Sequence, residues 1–409
     1  MTGRDAPATR TSPADERTDP ADAATLGALC RYFLRLGTLG FGGPVALVGY
    51  MQRDLVEERR WVTPQEFRDG LAVAQIAPGP LAAQLAMWLA FIRTGVLGAT
   101  LASFAFIGPS FVMVLAMAVV YVTAGGASWI GALFYGIAPA AVAIIALSAY
   151  RLVPVAVGRD PLLAVVLVAV GLITLLTGSE VAVAFLAAGF LIILVRTGLP
   201  NLRRMRGPTS GPGASGLIGV ALTPAAADPS VLLELGLLFA KAGAFVFGSG
   251  LAIVPFLREG LVIDHAWLTE QQFVDSVAVG LITPGPVVIT VAFAGYLIAG
   301  LPGAIVAAVG VFTPVYLFVI LPGPWIARHK DAPVVQAFVA GVSAAACGAI
   351  IAASILIGRD AIGDGTQVVI ALAALSALVA IRRYRPRHIT PLAEPLVVAV
   401  AGMVGLAIA

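Results

Sequence analysis

Residues 61–80 read WVTPQEFRDGLAVAQIAPGP, and residues 267–286 read WLTEQQFVDSVAVGLITPGP. The two stretches belong to one repeat at an offset of 206, in which 19 of 48 aligned pairs are identical without a gap. Both copies end in a Pro-Gly-Pro triplet within a hydrophobic segment, where a helix should break. Duplicated halves that interrupt their hydrophobic segments at matching positions predict a transporter whose site lies between the repeats.

The composition predicts an all-α polytopic membrane protein. Hydrophobic residues make up 59% of the chain, charged residues make up 11%, and the mean hydropathy is +0.98. Apolar runs long enough to cross about 30 Å of hydrocarbon recur along the sequence, so the lipid bilayer is the solvent of this protein. No substantial extramembrane domain remains for catalysis in water, and we expect no enzymatic activity.

Several other kinds of site are not predicted. Cys30 and Cys347 lack a CxxC spacing and the three histidines are scattered, so we expect no metal site. A Walker-type phosphate loop is missing from the sequence, so we expect no nucleotide cofactor. The formal net charge is only +3 and the basic residues fall in short loops, so no nucleic-acid partner is expected.

The pattern of segments divides the chain into four parts. Residues 1–25 lack the apolar core of a signal peptide and are expected to form a disordered tail. Residues 26–198 and 231–409 form the two transporter repeats. Residues 199–230 form a linker that is basic at its start and then rich in Gly, Pro and Ser. The positive-inside rule places the start of this linker in the cytoplasm.

The charges of the loops predict that the two halves have opposite orientations. The basic loop of the first half is at 151–159, whereas in the second half basic loops at 328–330 and 382–387 flank the equivalent position. This inversion is typical of an inverted-topology repeat, although it requires an odd number of crossings in one half. One segment should therefore be re-entrant or split, with about ten to thirteen membrane crossings in total.

The Pro-Gly-Pro triplets predict where the chemistry lies. Proline lacks the N–H that closes a helical turn, so the helix that enters from Asp69 should stop near Ala77 and restart near Leu81. A helix that restarts within the membrane presents unpaired N–H groups, which should face protein or a hydrated cavity and can bind an anion. We expect both triplets to lie near mid-depth and to face one shared cavity. The candidate substrate-binding residues at these breaks and at the earlier glycine clusters are Gly42, Gly43, Pro44, Pro78, Gly79, Pro80, Gly248, Ser249, Gly250, Pro284, Gly285 and Pro286.

Ionisable residues repeat at two equivalent positions. Arg35 and Lys241 are cations within apolar segments, where they are candidates for substrate binding; alternatively, they extend to the lipid headgroups. Asp69 and Asp275 are candidates for coupling or gating. Alternatively, they are simply favourable partners of the helix dipole in the first turns of the broken helices.

These motifs together resemble the chromate ion transporter family in its long two-domain form. The resemblance rests on Phe41-Gly42-Gly43-Pro44, on Arg59-Arg60-Trp61, on residues 75–80 and on residues 247–250, and it covers about residues 26–409. It implies efflux of chromate across the bacterial plasma membrane, which confers chromate resistance, by a multi-pass protein with two oppositely oriented halves. The second half has Ser249-Gly250 where the first has Gly43-Pro44, so the halves need not contribute equally.

The residues do not by themselves select the anion. Chromate and sulfate are nearly isosteric dianions, so sulfate or another oxyanion is an alternative substrate. An anion channel is a further alternative, although broken inverted repeats favour a carrier. The coupling ion and the oligomeric state are left open, and a homo-oligomer is compatible with the sequence.

Overall fold

A computed structural model describes residues 25–124, 128–177, 182–197, 229–246, 250–384 and 392–408. Within these ranges all regular secondary structure is helical, in agreement with the predicted fold class. The predicted tail, except for Thr25, and the predicted linker, except for its last two residues, lie outside the described residues. In the described part of the chain, four helices are long and apolar enough to cross a membrane, and four shorter apolar helices accompany them, as expected of a multi-pass membrane protein.

The described residues of the first half form seven α-helices. Three short helices come first, and longer apolar helices follow. Their bounds are α1 Leu26–Leu39, α2 Gly43–Met51, α3 Pro64–Ile76, α4 Leu81–Thr123, α5 Ser128–Ala156, α6 Pro161–Thr177 and α7 Ala182–Thr197. A π-helical turn, Gln52–Glu58, continues α2.

The second half repeats this order, except that one long helix of the first half is matched by a long and a short helix. Its bounds are α8 Pro229–Phe245, α9 Ile253–Arg258, α10 Glu270–Ile282, α11 Thr290–Ile320, α12 Gly323–His329, α13 Pro333–Ala361, α14 Gly365–Tyr384 and α15 Ala393–Ile408. The short helix α12 corresponds to the C-terminal end of α4, because α5 and α13 begin at residues 128 and 333, about one repeat offset apart. The chain is therefore interrupted after α11 at a point where α4 continues.

The Pro-Gly-Pro triplets form the tips of helical hairpins. Helix α3 begins at a capping box of Thr63 and Glu66 and ends at Ile76, and α4 begins at Leu81, as the prolines predict. Gly70 of α3 lies against Leu85 and Trp88 of α4, so the chain reverses its direction between the two helices. The triplet therefore turns the chain back in a re-entrant hairpin. Of the two predicted possibilities, a re-entrant or a split segment, the contact of Gly70 supports the re-entrant one.

The second half contains the equivalent hairpin. Gly280 of α10 lies against Thr290 at the start of α11, and the hydroxyl of Thr290 donates a hydrogen bond to the carbonyl of Ser276. Each hairpin ends at a second break, where the backbone at Gly95 and Gly300 adopts φ values of 68° and 62°. The remainder of α4 and of α11 then crosses the protein.

Helices α4 and α11 pack against each other in opposite directions. Thr100, early in α4, shares a hydrogen bond of 2.6 Å with Tyr316, late in α11. Further along α4, Phe111 lines one cavity together with Ile305, which lies early in the part of α11 that follows Gly300. Equivalent helices of the two repeats are thus antiparallel, so the two-fold axis that relates them is perpendicular to the helices. This is the arrangement of an inverted-topology repeat.

Close glycine contacts fix the first helix of each half against the crossing helix. A Cβ atom on Gly37 of α1 would lie 2.2 Å from the carbonyl oxygen of Phe106. A Cβ atom on Gly243 of α8 would lie 2.2 Å from the carbonyl oxygen of Val311. Small residues at such contacts let helix backbones approach closely within a membrane.

We expect Gly37→Ala and Gly243→Ala each to lower the free energy of unfolding by about 1–3 kcal/mol, because the added methyl group forces two backbones apart. The thermal unfolding midpoint of the purified protein in detergent measures this effect. Gly27→Ala is the matched control, because it lies on α1 with nothing within 4 Å of its added Cβ. Equal midpoints for Gly37→Ala and Gly27→Ala would contradict the close contact.

Candidate functional site

The tip of each hairpin is hydrogen-bonded to the other half of the protein. The backbone N–H of Gly79 donates to the carbonyl of Val246, just after α8. The backbone N–H of Gly285 donates to the carbonyl of Gly40, just after α1, at 3.0 Å. The two bonds are equivalent under the repeat, so the halves bind each other reciprocally at the point where four helices end or begin.

Two buried polar side chains support the tips. The Gln84 amide nitrogen donates to the carbonyls of Ala77 and Pro78, at 3.3 and 2.7 Å, and so caps the end of α3. Among the described residues, the buried oxygen of the Gln84 amide has no partner. The Ser110 hydroxyl lies within 2.7 Å of the carbonyl of Pro284 and 3.3 Å of that of Gly37. Both side chains thus satisfy carbonyl groups that the helix breaks leave open.

The helices that leave the tips begin without side-chain caps. Pro80 precedes α4 and Pro286 precedes the 3₁₀ turn Val287–Ile289 that leads into α11, and neither proline can cap its helix with a side-chain hydrogen bond. The N–H groups of the first turn are therefore the groups that a ligand can satisfy. An anion suits this position, because the N-terminal end of a helix carries partial positive charge.

The structure places the predicted substrate-binding residues in two groups. The triplets, Pro78-Gly79-Pro80 and Pro284-Gly285-Pro286, meet the opposite halves at the interface described above. Gly42, Gly43 and Pro44 form the start of α2, where Gly42 and Gly43 adopt positive φ values of 107° and 70°. Gly250 begins the equivalent segment before α9, while Gly248 and Ser249 lie outside the described residues.

The expected shared cavity stays a prediction. Gly79, Pro80 and all three residues of the second triplet are buried, and Pro78 is half-buried. The cavities described below are lined by other residues. Each tip is therefore packed against the opposite half in this conformation, and the helix ends become accessible to an oxyanion only when these contacts open.

Arg35 and Lys241 do not lie at the tips. Both side chains are exposed, on the faces of α1 and α8 that point away from the packed neighbours Gly37 and Gly243. Among the described residues, neither cation forms an ion pair. This position favours the alternative in which both cations extend to the lipid headgroups.

Asp69 and Asp275 each join the two halves. Each carboxylate accepts a hydrogen bond from the glutamine four residues earlier, Gln65 at 2.9 Å or Gln271 at 2.7 Å. Asp69 also forms an ion pair with Lys330, whereas Asp275 accepts a hydrogen bond of 2.8 Å from the Tyr121 hydroxyl. Both partners belong to the opposite half, and the antiparallel packing of α4 and α11 puts the two acids at opposite ends of the protein.

A cavity of about 590 Å³ borders Asp275. Polar groups of Tyr121, Tyr135, Gln271 and Gln367 line it together with the ring of Phe134. At the other end of the protein, α12 and Lys330 lie where this cavity would have its repeat-related equivalent. The two ends of the protein are therefore chemically different although the repeat is symmetric.

Sequence reasoning missed one buried charged cluster. Arg258 is 8% exposed and forms ion pairs with Glu270 and Asp360, which hold the ends of α9, α10 and α13 together. Its position in the first repeat is Gln52, so no repeated cation pointed to it. The sequence around Lys330 indicates only membrane topology, because Asp331 is the one carboxylate near it in the sequence.

Carboxylates also fix loops outside the membrane segments. Arg196, at the end of α7, holds the pKa of Asp160 below its ordinary value by a hydrogen bond. The Tyr135 hydroxyl, aided by the backbone N–H of Gln367, likewise lowers the pKa of Asp364 in the loop before α14. Both contacts favour the ionised form, so they persist at neutral pH.

Comparison with known proteins gives the family. The profile of the family described as "Chromate transporter" matches residues 27–194 and 233–406. The chain belongs to the chromate transporter family. The two matched stretches correspond to the two halves of the repeat, so the predicted resemblance is confirmed.

Relatives match almost the whole chain. A chromate transport protein of Cupriavidus metallidurans is 49% identical over 390 residues, which cover 94% of each protein. A probable chromate transport protein of Synechococcus elongatus is 45% identical over 389 residues, which cover 94% of this chain and 96% of the relative. A chromate transport protein of Pseudomonas aeruginosa is 31% identical over 340 residues, which cover 79% of each. No solved structure matches the chain.

We expect Gly79→Ala and Gly285→Ala to reduce transport roughly tenfold or more, because each tip has a positive φ and no room for a side chain. At Gly285 an added Cβ would lie 2.1 Å from the Ser110 hydroxyl, and at Gly79 it would lie 2.7 Å from the Gln84 amide. Chromate accumulation in everted vesicles at equal protein level measures the effect. Gly108→Ala is the control, with open space around its added Cβ.

Exchange of the charges tests the ion pair between the halves. We expect Asp69→Lys and Lys330→Asp each to lower transport, since each leaves two like charges in a partly buried contact. The double variant should recover much of the activity, because it restores opposite charges at the same positions. If the double variant transports no better than either single variant at equal protein level, the pair is not functionally coupled.

Proposed function

We propose that the protein is a secondary transporter that exports chromate across the bacterial plasma membrane and so confers resistance to it. The observation that carries this proposal is the reciprocal bonding of the hairpin tips, Gly79 to Val246 and Gly285 to Gly40. These bonds bring two helix beginnings to the interface of an inverted repeat, which is where transporters of this architecture bind their substrates. The names of the relatives supply the substrate.

The oxyanion fits the chemistry of the tips. A tetrahedral dianion offers several acceptor oxygens to the free N–H groups that follow Pro80 and Pro286, and its charge is stabilised by both helix dipoles. We propose the triplets as the central binding elements, with the glycine segments at Gly42 and Gly250 lining the approach. The repeats at 26–198 and 231–409 act as the two moving units.

The orientation follows from the basic loops. After the break at Gly95, helix α4 runs from the Asp69 end of the protein to the Asp275 end, and α5 runs back, so the loop at 151–159 lies at the Asp69 end. Lys330 and its basic neighbours lie at that end as well. By the positive-inside rule we assign the Asp69 end to the cytoplasm and the Asp275 end to the outside.

The membrane potential favours export. With the cytoplasm negative, moving a dianion outward gains roughly 2 × 2.3 kcal/mol per 100 mV. A carrier that exposes the site alternately to each side can use this gradient without ATP. The packed tips support a carrier over a channel, because an open pore needs a continuous passage between the halves.

Everted vesicles test the proposal directly. Energised vesicles that contain the protein should accumulate radiolabelled chromate, whereas vesicles from cells with the empty vector should not. Unlabelled sulfate at the same concentration as chromate separates the alternatives: a strong loss of the chromate signal indicates a general oxyanion carrier. Absence of chromate accumulation with the protein correctly inserted in the membrane contradicts the proposal.

Arg35 and Lys241 can be tested in the same assay. Because both side chains are exposed, we expect Arg35→Ala and Lys241→Ala to keep most of the transport activity. Loss of an order of magnitude in chromate affinity, at equal protein level, would restore them as substrate-binding cations. Arg35→Lys would then keep part of the activity, because it retains the charge without the bidentate geometry.

A further inference from the structure

The two repeat-related acids have different surroundings although their local sequences match. Asp69 is paired with the cation Lys330, whereas Asp275 has only neutral partners and borders a cavity of about 590 Å³. We propose that Asp275 is the proton-binding residue of the transport cycle and that Asp69 is a fixed structural contact. This inference rests on the proposed function, because it names the ion that is exchanged for the oxyanion.

Burial gives Asp275 two accessible charge states. The residue is 2% exposed, so an ionised carboxylate there loses nearly all of its contact with water. Hydrogen bonds from the Tyr121 hydroxyl and the Gln271 amide offset part of the free-energy cost of removing the carboxylate from water. A protonated carboxyl group needs less compensation, since it carries no charge and can itself donate one hydrogen bond.

The groups that face Asp275 from neighbouring helices leave it without a counter-ion. Tyr121 of α4, Tyr135 of α5 and Gln367 of α14 line its cavity, and all are uncharged near neutral pH. Helix α11 contributes Leu297 to the same cavity. Among the described residues, no cation contacts Asp275, so a proton is the species that can neutralise it.

The other charged groups on the helices that pack around Asp275 have contacts of their own. Glu270 of α10 and Asp360 of α13 are both paired with the buried Arg258. Asp364, in the loop before α14, accepts a hydrogen bond from Tyr135. Glu394 lies in the first turn of α15, the last helix that packs against α10.

The cavity gives Asp275 a route to water on one side. Its polar lining and its volume allow it to hold several water molecules, through which a proton can move. By the assignment above, this side faces the outside of the cell, where a proton-motive force supplies protons. A proton bound at Asp275 forms an O–H bond there, and it is released as the carboxyl group dissociates when the site turns to the cytoplasm.

Asp69 cannot do the same while Lys330 is its partner. An ion pair stabilises the ionised carboxylate, so a proton binds Asp69 only if the pair is broken. Lys330 lies in the segment between α12 and α13, and the corresponding segment of the first half, residues 124–127, reads AGGA and so has no equivalent cation. This difference in charge leaves one of the two repeated acids free to titrate.

Purified protein in proteoliposomes tests the proposal with two assays on the same vesicles. Exchange of labelled for unlabelled chromate, without a pH gradient, requires substrate binding and alternating access but no net proton movement. A pH-sensitive dye then reports protons that move with a chromate gradient, at alkaline pH where chromate is a dianion. Exchange failure in the wild type would overturn the proposed function itself, whereas dye failure alone would overturn the present inference.

We expect Asp275→Asn to keep chromate exchange and to abolish the coupled proton signal. The asparagine amide has the same shape and can hydrogen-bond to Tyr121 and Gln271, but it cannot ionise. Asp69→Asn is the matched control on the other repeat, and it should keep the proton signal. A proton signal that survives in Asp275→Asn, or that is lost in Asp69→Asn while exchange continues, would refute the assignment.

A second variant covers the case in which Asp275→Asn fails to fold. Tyr121→Phe removes the donor that favours the ionised carboxylate and keeps the ring packed against Phe134 and Phe293. The midpoint of the pH dependence of coupled chromate transport should therefore rise by about one pH unit. Wild type measured over the same pH range corrects for the protonation of chromate itself. An unchanged midpoint would show that Asp275 does not set the pH dependence.

Discussion

The structure depends on how four interrupted helices satisfy their backbone groups within a membrane. An unpaired N–H or C=O group in hydrocarbon costs several kcal/mol, so a helix can stop there only if protein supplies a partner. Here the backbone N–H of each tip glycine donates a hydrogen bond to a carbonyl at the end of a helix in the opposite half, Gly79 to Val246 and Gly285 to Gly40. Neither half can satisfy its own break alone. The inverted repeat is therefore a requirement of the fold as well as a record of duplication.

The same constraint explains the composition of the tips. Proline at both ends of each triplet removes two N–H groups that would otherwise need partners. The glycine between them adopts a positive φ and leaves its N–H free to reach the other half. The tips are thus held by few bonds, and a small number of contacts must break for the halves to move apart.

Much of the fold could be predicted from the sequence, and the reasons for the exceptions are specific. The Pro-Gly-Pro triplets located both helix breaks because proline acts locally. The reversal of the chain at each tip could not be predicted, since a break does not specify an angle and only the contact of Gly70 with Trp88 reveals it. Loop charges predicted the inversion, which the antiparallel α4 and α11 confirm.

The candidate site was harder to predict, because charge in an apolar sequence does not reveal what it faces. Arg35 and Lys241 repeat at equivalent positions, yet both are exposed. Asp69 and Asp275 repeat as well, and their partners differ because Lys330 follows α12, whereas the corresponding residues 124–127 of the first half carry no charge. A repeat pattern can identify such acids. It cannot identify Lys330 or Tyr121 as their partners, since these contacts span 261 and 154 residues.

The two tips form equivalent bonds, whereas the two repeated acids have different partners, and a transport cycle depends on both facts. A ligand shifts a conformational equilibrium only by the difference in its affinity for the two states. In the proposed transport cycle, an oxyanion that replaces the bonds of Gly79 and Gly285 releases each tip from the opposite half, but equivalent tips give it no preferred direction. Direction has to come from the ends of the protein, where Asp69 has a cation and Asp275 does not. Lys330 therefore has a physical role: it makes the two ends of a symmetric repeat different.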